Sequence, residues 1–270
     1  MTANNLTISI DAICHKNCPY CISKMTFFPK PDFELFERNL PKAVELARLA
    51  SVSSVLISSK GEPLTRLETV KLCAKAFETF PLEIQTNGDM LQGMGVLDLL
   101  FAIGVNTVAV SVDSWYDVQK FEDLFRTMHR RGFVVRLTIV LTDKWEQDSA
   151  SELFTFCGNT GIRQITIRRA TVPDVLIDNP ASNAVEQWII KNTTRDHNSL
   201  LDTIHTWETD ENLIRTLPFG PKVYNIAGTA VTSIPYCIQE QNNTEDIRSL
   251  IYHQDGHMYT SWDKPSSILF

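Results

Sequence analysis

The chain has 270 residues, 43% hydrophobic and 21% charged, enough to bury one large α/β core or two modest ones. Its 25 basic and 32 acidic side chains leave a formal charge of −7, so no global field draws it to nucleic acid or to an anionic membrane. The opening MTANNLTISIDAIC has no basic start followed by an apolar run, and no segment approaches roughly 18 uninterrupted apolar residues; the expectation is a soluble, cytoplasmic protein without a signal peptide or spanning helix.

Up to about residue 170, short β-branched runs alternate with helical patterns. Strands are predicted at 6–13, 52–58, 82–86, 105–112, 133–141 and 163–168, with helices at 33–50, 66–80, 90–103, 115–131 and 149–157. Thr65-x-x-Glu68 and Ser149-x-x-Glu152 read as capping boxes, and Gly104, Gly132 and Gly158 as helix stops. Pro41 is expected to start a second helical piece within 33–50, and Gly93 and Gly95 weaken the helix at 90–103. Crossovers of this length imply a parallel sheet.

Strand parity describes the sheet further. Thr107, Ser111 and Asp113 share one face, opposite Val108, Val110 and Val112; Arg136 and Thr138 oppose Val135, Leu137 and Ile139; Gln164, Thr166 and Arg168 oppose Ile165 and Ile167. A sheet sandwiched between helices should be apolar on both faces. One face here is repeatedly polar, as if lining a ligand-holding interior, which favours a partial, open (β/α)6 barrel over a flat doubly wound sheet. The barrel is expected to span 1–170. Residues 171–270 read as a C-terminal α+β extension: a crossing loop at 171–180, helices near 181–191 and 198–208, a strand at Lys222–Ile226 and a hairpin at Asp255-Gly256. This extension is expected to cap the open side and help form the substrate pocket.

Six cysteines are present, and Cys14, Cys18 and Cys21 crowd the text Cys14-His15-Lys16-Asn17-Cys18-Pro19-Tyr20-Cys21 directly after the first strand. Three thiolates on a short loop can hold three corners of an iron–sulfur cubane, leaving one iron open to an outside ligand. A zinc site completed by His15, buried unligated cysteines and a redox dithiol are the alternatives. Cys73 and Cys157 read as core, and Cys237 stands alone in the tail, too few for an auxiliary cluster. His253 and His257 flank the Asp255-Gly256 turn and read as a solvent-facing hairpin rather than metal ligands.

The spacing C-x3-C-x2-C with an aromatic residue before the last cysteine resembles that of the radical S-adenosylmethionine (SAM) superfamily. Ser59-Lys60-Gly61-Glu62-Pro63 after strand two is similar to that family's GGEP motif, with Lys60 in place of the first glycine. Gln85-Thr86-Asn87-Gly88 after strand three resembles its TNG segment, and Ser111-Val112-Asp113-Ser114 the S-x-D-S of the branch containing the molybdenum-cofactor enzymes. Each motif ends a predicted parallel strand, where α/β barrels keep their active sites.

The resemblance implies a 4Fe–4S cluster on Cys14, Cys18 and Cys21, SAM chelated at the open iron, and an electron donor such as flavodoxin or ferredoxin. It further implies that Gly61 and Glu62 receive the SAM ammonium, that Thr86 and Ser111 bond its methionine part or ribose, and that Tyr20 packs near the adenine. Arg136, centred in an apolar strand, needs a partner: the carboxylate of SAM, an anionic substrate group, or Asp113 on the neighbouring strand. Arg168 and Arg169 end strand six, one facing inward and the other outward; with Lys222, Arg168 is a substrate-binding candidate. The substrate expected is a small polar molecule, anionic or nucleotide-like. A peptide or tRNA is the runner-up, and a non-catalytic zinc or iron–sulfur binding protein the reading from another class.

Overall fold

All six predicted strands form, and they pair in chain order. A computed structural model describes residues 2–145, 149–173, 176–193, 199–217, 220–234, 247–262 and 264–270. The first part runs β1 (Ala3–Ile10), α1 (Phe33–Leu49), β2 (Val55–Ser59), α2 (Leu67–Ala76), β3 (Leu82–Thr86), α3 (Val96–Ala102) and β4 (Val105–Val112). It continues with α4 (Trp115–Lys120), α5 (Glu122–Arg130), β5 (Val134–Leu141), α6 (Ala150–Thr160) and β6 (Ile162–Arg169). Strands β1 to β6 are parallel throughout. The sheet is open rather than closed, the arrangement expected of a partial barrel.

The remaining elements are α7 (Pro180–Asn192), α8 (Ser199–Thr206), β7 (Leu213–Thr216), β8 (Lys222–Ile226), β9 (Thr229–Ile234), β10 (Ile247–His253) and β11 (Met258–Tyr259). Their strands widen the same sheet at both edges: β9 lies parallel to β6, followed by antiparallel β8 and β7, while β10 lies parallel to β1 and pairs with antiparallel β11. The hairpin at Asp255-Gly256 is thus present as β10–β11. No helix among the described residues is long and apolar enough to cross a membrane.

The two faces of the sheet differ as their alternation demands. Leu6, Ile8, Val55, Ile57, Leu82, Ile84, Val108, Val110, Leu137, Ile139, Ile165 and Ile167 are buried in the main core, on the side covered by helices. The opposite face carries Thr7, Ser9, Glu83, Gln85, Ser111, Arg136, Thr138, Gln164, Thr166 and Arg168 by strict alternation.

Several local expectations are corrected. Pro41 lies inside one continuous helix, α1, rather than starting a second. Phe36, Leu40, Ala43, Val44 and Ala47 stay in phase on its buried face across the proline, so packing outweighs the lost backbone bond. Thr65 and Glu68 form no capping box, since α2 starts at Leu67 without a side-chain cap; the Thr65 hydroxyl donates instead to the Glu62 carbonyl at 2.8 Å. Ser149 does cap α6, but the helix passes through Gly158 and stops at Gly161, whose φ of 78° supplies the left-handed turn. The predicted helix at 115–131 is broken at Phe121 into α4 and α5, and that at 90–103 is reduced to α3 behind a 3₁₀ turn over Asp89–Gln92.

Candidate functional site

At the C-terminal ends of the strands, the segments after β1, β2, β3 and β4 meet. The cysteine loop follows β1 and ends in a 3₁₀ turn at Ile22–Lys24. Its path is set by backbone: Glu62 N donates to Ile13 O at 3.0 Å, joining it to the loop after β2. A Cβ at Gly61 would lie 2.3 Å from Ala12 O and 2.5 Å from Ile13 C, so only glycine allows this approach.

Glu62 ties the loops after β2 and β3. Its buried carboxylate accepts from Thr86 Oγ1 at 2.8 Å, Asn87 N at 2.8 Å and Leu64 N at 3.1 Å. Burial pushes this carboxyl up, while the bonds from Asn87, Thr86 and Leu64 pull it down. The Thr86 hydroxyl in turn accepts from Gly88 N at 3.1 Å. Both side chains read as cofactor contacts are therefore engaged with each other and with backbone.

The thiols lie close by. Asn87 Nδ2 is 3.9 Å from Cys14 Sγ. Cys18 is half-buried; burial raises its thiol and the neighbouring Cys21 adds to this, against a hydrogen bond from Tyr20. Lys24 Nζ donates to Cys18 O at 3.2 Å and to Asn17 Oδ1 at 2.5 Å. Three thiols on one loop, with lysines beside them to offset negative charge, fit an iron–sulfur cluster by donor chemistry. Among the described residues, no three His, Cys, Asp or Glu side chains are already grouped closely enough to hold a metal ion.

His15, the fourth ligand that a zinc site would need, has its Nε2 against Asp89 Oδ2 at 3.0 Å. Asp89, unremarked in the sequence, gathers His15, Lys16 at 3.6 Å and Lys120 at 2.8 Å. Burial would raise its carboxyl, but the hydrogen bonds from Lys120 and His15 hold it below the usual range. Tyr20 packs on Trp188 of α7, ring centroids 5.6 Å apart, within a second apolar cluster that includes Met25, Val140, Val185 and Ile189. Its hydroxyl meets Asp113 and lies against the Cys18 thiol, and burial raises it.

Arg136 is not paired with Asp113. It grips Glu83 of β3, through Nη1 to Oε1 at 2.7 Å and Oε2 at 2.6 Å, and its Nε donates to Gln164 Oε1 at 2.8 Å. Asp113 instead holds Lys144 at 3.0 Å. Burial would raise the Asp113 carboxyl, but bonds from Lys144 and Tyr20 keep it below its usual range. Ser111 lies on the polar face opposite Thr138. Arg168 lies on that face too, level with Val140 and Ile234, and Arg169 on the other. Lys222 is exposed and alternates with Val223, the partner of inward-facing Thr232, so it stands on the helix side of the sheet.

Cys73 and Cys157 are core, their thiols pushed up to about 12 by burial; Cys237 lies outside the described residues. His253 is not solvent-facing but 1% exposed, with its ring against Phe28, Tyr259 and Trp262 at centroid distances of 5.3, 5.1 and 5.4 Å. Burial lowers it to about 4. A histidine so depressed takes up its proton more readily when unfolded, so stability is complete above the unfolded pKa and is lost as pH falls toward 4. Between pH 7 and 5 the loss should be about 2 kcal/mol, and His253→Phe should remove that slope in urea unfolding. An unchanged slope would place its origin elsewhere.

Residues 8–160 match the Radical SAM superfamily, more than half of the chain, and the protein belongs to that superfamily of enzymes. Membership implies a 4Fe–4S cluster and SAM. Among solved structures the fold is similar to Streptococcus suis SuiB bound to precursor peptide SuiA, with 14% identity, TM-score 0.57 and coverage of 96% of this chain and 59% of that one. SuiB bound to S-adenosylmethionine gives 14% identity, TM-score 0.56 and coverage of 96% and 60%. Methylornithine synthase (PylB) gives 13%, 0.50, and coverage of 76% and 61%. At such identity the likeness is one of fold, and the chain spans about three-fifths of the length of these proteins. No curated protein matches the sequence.

Proposed function

We propose that the chain holds a 4Fe–4S cluster on Cys14, Cys18 and Cys21, cleaves SAM reductively, and removes a hydrogen atom from a small polar substrate on the polar face of the sheet. The observation carrying this reading is the meeting of the three-cysteine loop with the Gly61–Glu62 and Thr86–Gly88 segments at the C-terminal edge of the sheet. When bound, the reduced cluster supplies the electron that splits SAM into methionine and a 5′-deoxyadenosyl radical.

The chain's own residues bind, orient and shield. Glu62, locked by Thr86, Asn87 and Leu64, fixes the backbone of the Gly61 loop, which receives the SAM ammonium through carbonyl oxygen. Tyr20 and Trp188 close one side against water.

Anaerobic reconstitution tests the proposal: about four irons per chain, a brown chromophore, and 5′-deoxyadenosine on reduction with dithionite and SAM are expected. Cys18→Ser should reduce 5′-deoxyadenosine to the level of the cluster-free chain. A single tetrahedral zinc, or a fully loaded, reduced sample yielding no 5′-deoxyadenosine, would favour a binding protein instead.

A further inference from the structure

We propose that the inner face of β4, β5, β6 and β9 carries an oxyanion subsite for the substrate, with Arg168 as its cation and Ser111, Thr138, Thr166 and Thr232 as a hydroxyl shelf beneath it. The inference deepens the functional reading above and rests on it.

The register sets out the shelf. Ser111 pairs with Thr138, Thr138 with Thr166, and Thr166 with Thr232, so four hydroxyls stand side by side on four adjacent parallel strands. At a strand spacing of about 4.8 Å the row spans about 14 Å. That these side chains share the polar face follows from Arg136, whose bonds reach Glu83 on β3 and Gln164 on β6. Two residues further along, alternation brings Thr138 and Thr166 to the same face, and two further again Arg168. Among the described residues no hydrogen bond engages any of the four hydroxyls, nor the Arg168 guanidinium, whose Nε is buried and unpartnered.

Charge accounting separates the two arginines. Arg136 and Arg168 share one carboxylate, Glu83, which bonds Arg136 through both oxygens and feels Arg168 only at a distance. Asp113, the next acid at that level, is held by Lys144. Among the described residues, two guanidiniums against this one carboxylate leave one positive charge unmatched on a partly buried surface, which is costly without a counter-ion. A guanidinium fork accepts the two oxygens of a carboxylate or phosphate, and hydroxyls beneath it can donate to the same group.

The position suits a reacting substrate. Asp113 follows Val112, the partner of Ile139, and so stands level with Val140, which pairs with Arg168. Two strand spacings, about 10 Å, thus separate Arg168 from the Asp113–Tyr20–Cys18 contact. An anionic group held there leaves the rest of a small substrate extending toward the cysteine loop.

The test uses the full, reconstituted chain, titrated with inorganic phosphate and with acetate at constant ionic strength against a chloride control, read by thermal unfolding and calorimetry. One of the two anions should bind saturably at one site; phosphate would mark a phosphorylated substrate and acetate a carboxylic acid. Arg168→Gln should weaken that binding about 10–100-fold and Thr166→Val about 5-fold, while Arg163→Gln on the exposed start of β6 should leave it unchanged. If Arg168→Gln does not fold, Arg168→Lys takes its place, with about tenfold weakening expected from loss of the fork and unchanged binding overturning the proposal. Neither anion exceeding chloride, unsaturable uptake of an adventitious ion only, or equal weakening by Arg163→Gln would also overturn it. Formation of 5′-deoxyadenosine by the unsubstituted chain, measured on the same samples, shows separately whether the SAM-cleaving reading stands.

Discussion

Arg136→Met should lower the stability of the folded chain by about 3 kcal/mol, measured by chemical denaturation. The variant leaves Glu83 beneath the polar face with its main counter-charge removed. The lower part of the range for broken buried pairs applies because the Arg136 side chain keeps 30% of its surface and Glu83 15%. Glu83→Met should cost a similar amount, since it strands the guanidinium. Replacing both with methionine should recover most of the loss, because the desolvation that the pair opposes disappears with it. If the double variant instead loses the sum of the two singles, the pair is not coupled in the way its geometry implies.

The pH dependence of Arg136→Met gives an independent reading. Burial already pushes the Glu83 carboxyl up, and Arg136 is the first influence opposing it. Without the arginine the carboxyl rises further. A carboxyl raised in the folded state contributes stability below its unfolded pKa, and that contribution disappears as pH climbs through the folded value. The deficit of Arg136→Met relative to the unsubstituted chain should therefore be smaller at pH 5 than at pH 8. A deficit that grows on acidification would mean that Glu83 is not the group left exposed by the substitution.

The two arginines show what alternation can and cannot reveal. That Arg136 and Arg168 face the polar side follows from period two alone, because Leu137, Ile139, Ile165 and Ile167 take the other face. The partner of Arg136 is another matter. Asp113 lay on the neighbouring strand, but Glu83, two strands away on β3, reaches the guanidinium across β4, where the register places the small side chain of Ala109 beside Arg136. A trace existed in the sequence: Leu82 and Ile84 oppose Glu83 and Gln85, so Glu83 had to face the same interior.

The cysteine motif and the segments after the strands were legible because each depends on a local pattern at a strand end. The environments of Tyr20 and His253 were not, because distant chain supplies them. Trp188 of α7 covers Tyr20, and Phe28 and Trp262 enclose His253 with Tyr259. A histidine beside an Asp-Gly turn looks solvated until such a shell is known. Glu62 and Thr86 each stood out within a local motif, but their mutual bond spans two loops, and no spacing within either loop announces it.

Gly61→Ala should damage both the fold and the cluster site, since the added carbon meets backbone that has nowhere to go. Its Cβ would sit 2.3 Å from Ala12 O, 2.5 Å from Ile13 C and 2.8 Å from Ala12 C, closer than real Cβ atoms come. The same loops are joined by Glu62 N donating to Ile13 O at 3.0 Å, so relief requires separating them and giving up that bond. Overpacking of this kind costs about 1–3 kcal/mol. The shift also passes directly to Cys14, the residue after Ile13, so iron content after reconstitution and 5′-deoxyadenosine formation should both fall further than the stability loss accounts for. Gly158→Ala is the matched control: it lies inside α6 with nothing within 4 Å of the added carbon, and should raise stability by about 0.5–1 kcal/mol while leaving iron uptake unchanged. A Gly61→Ala chain that unfolds like the unsubstituted one and fills with iron normally would show that the close approach of these two loops does not hold the cysteines in place.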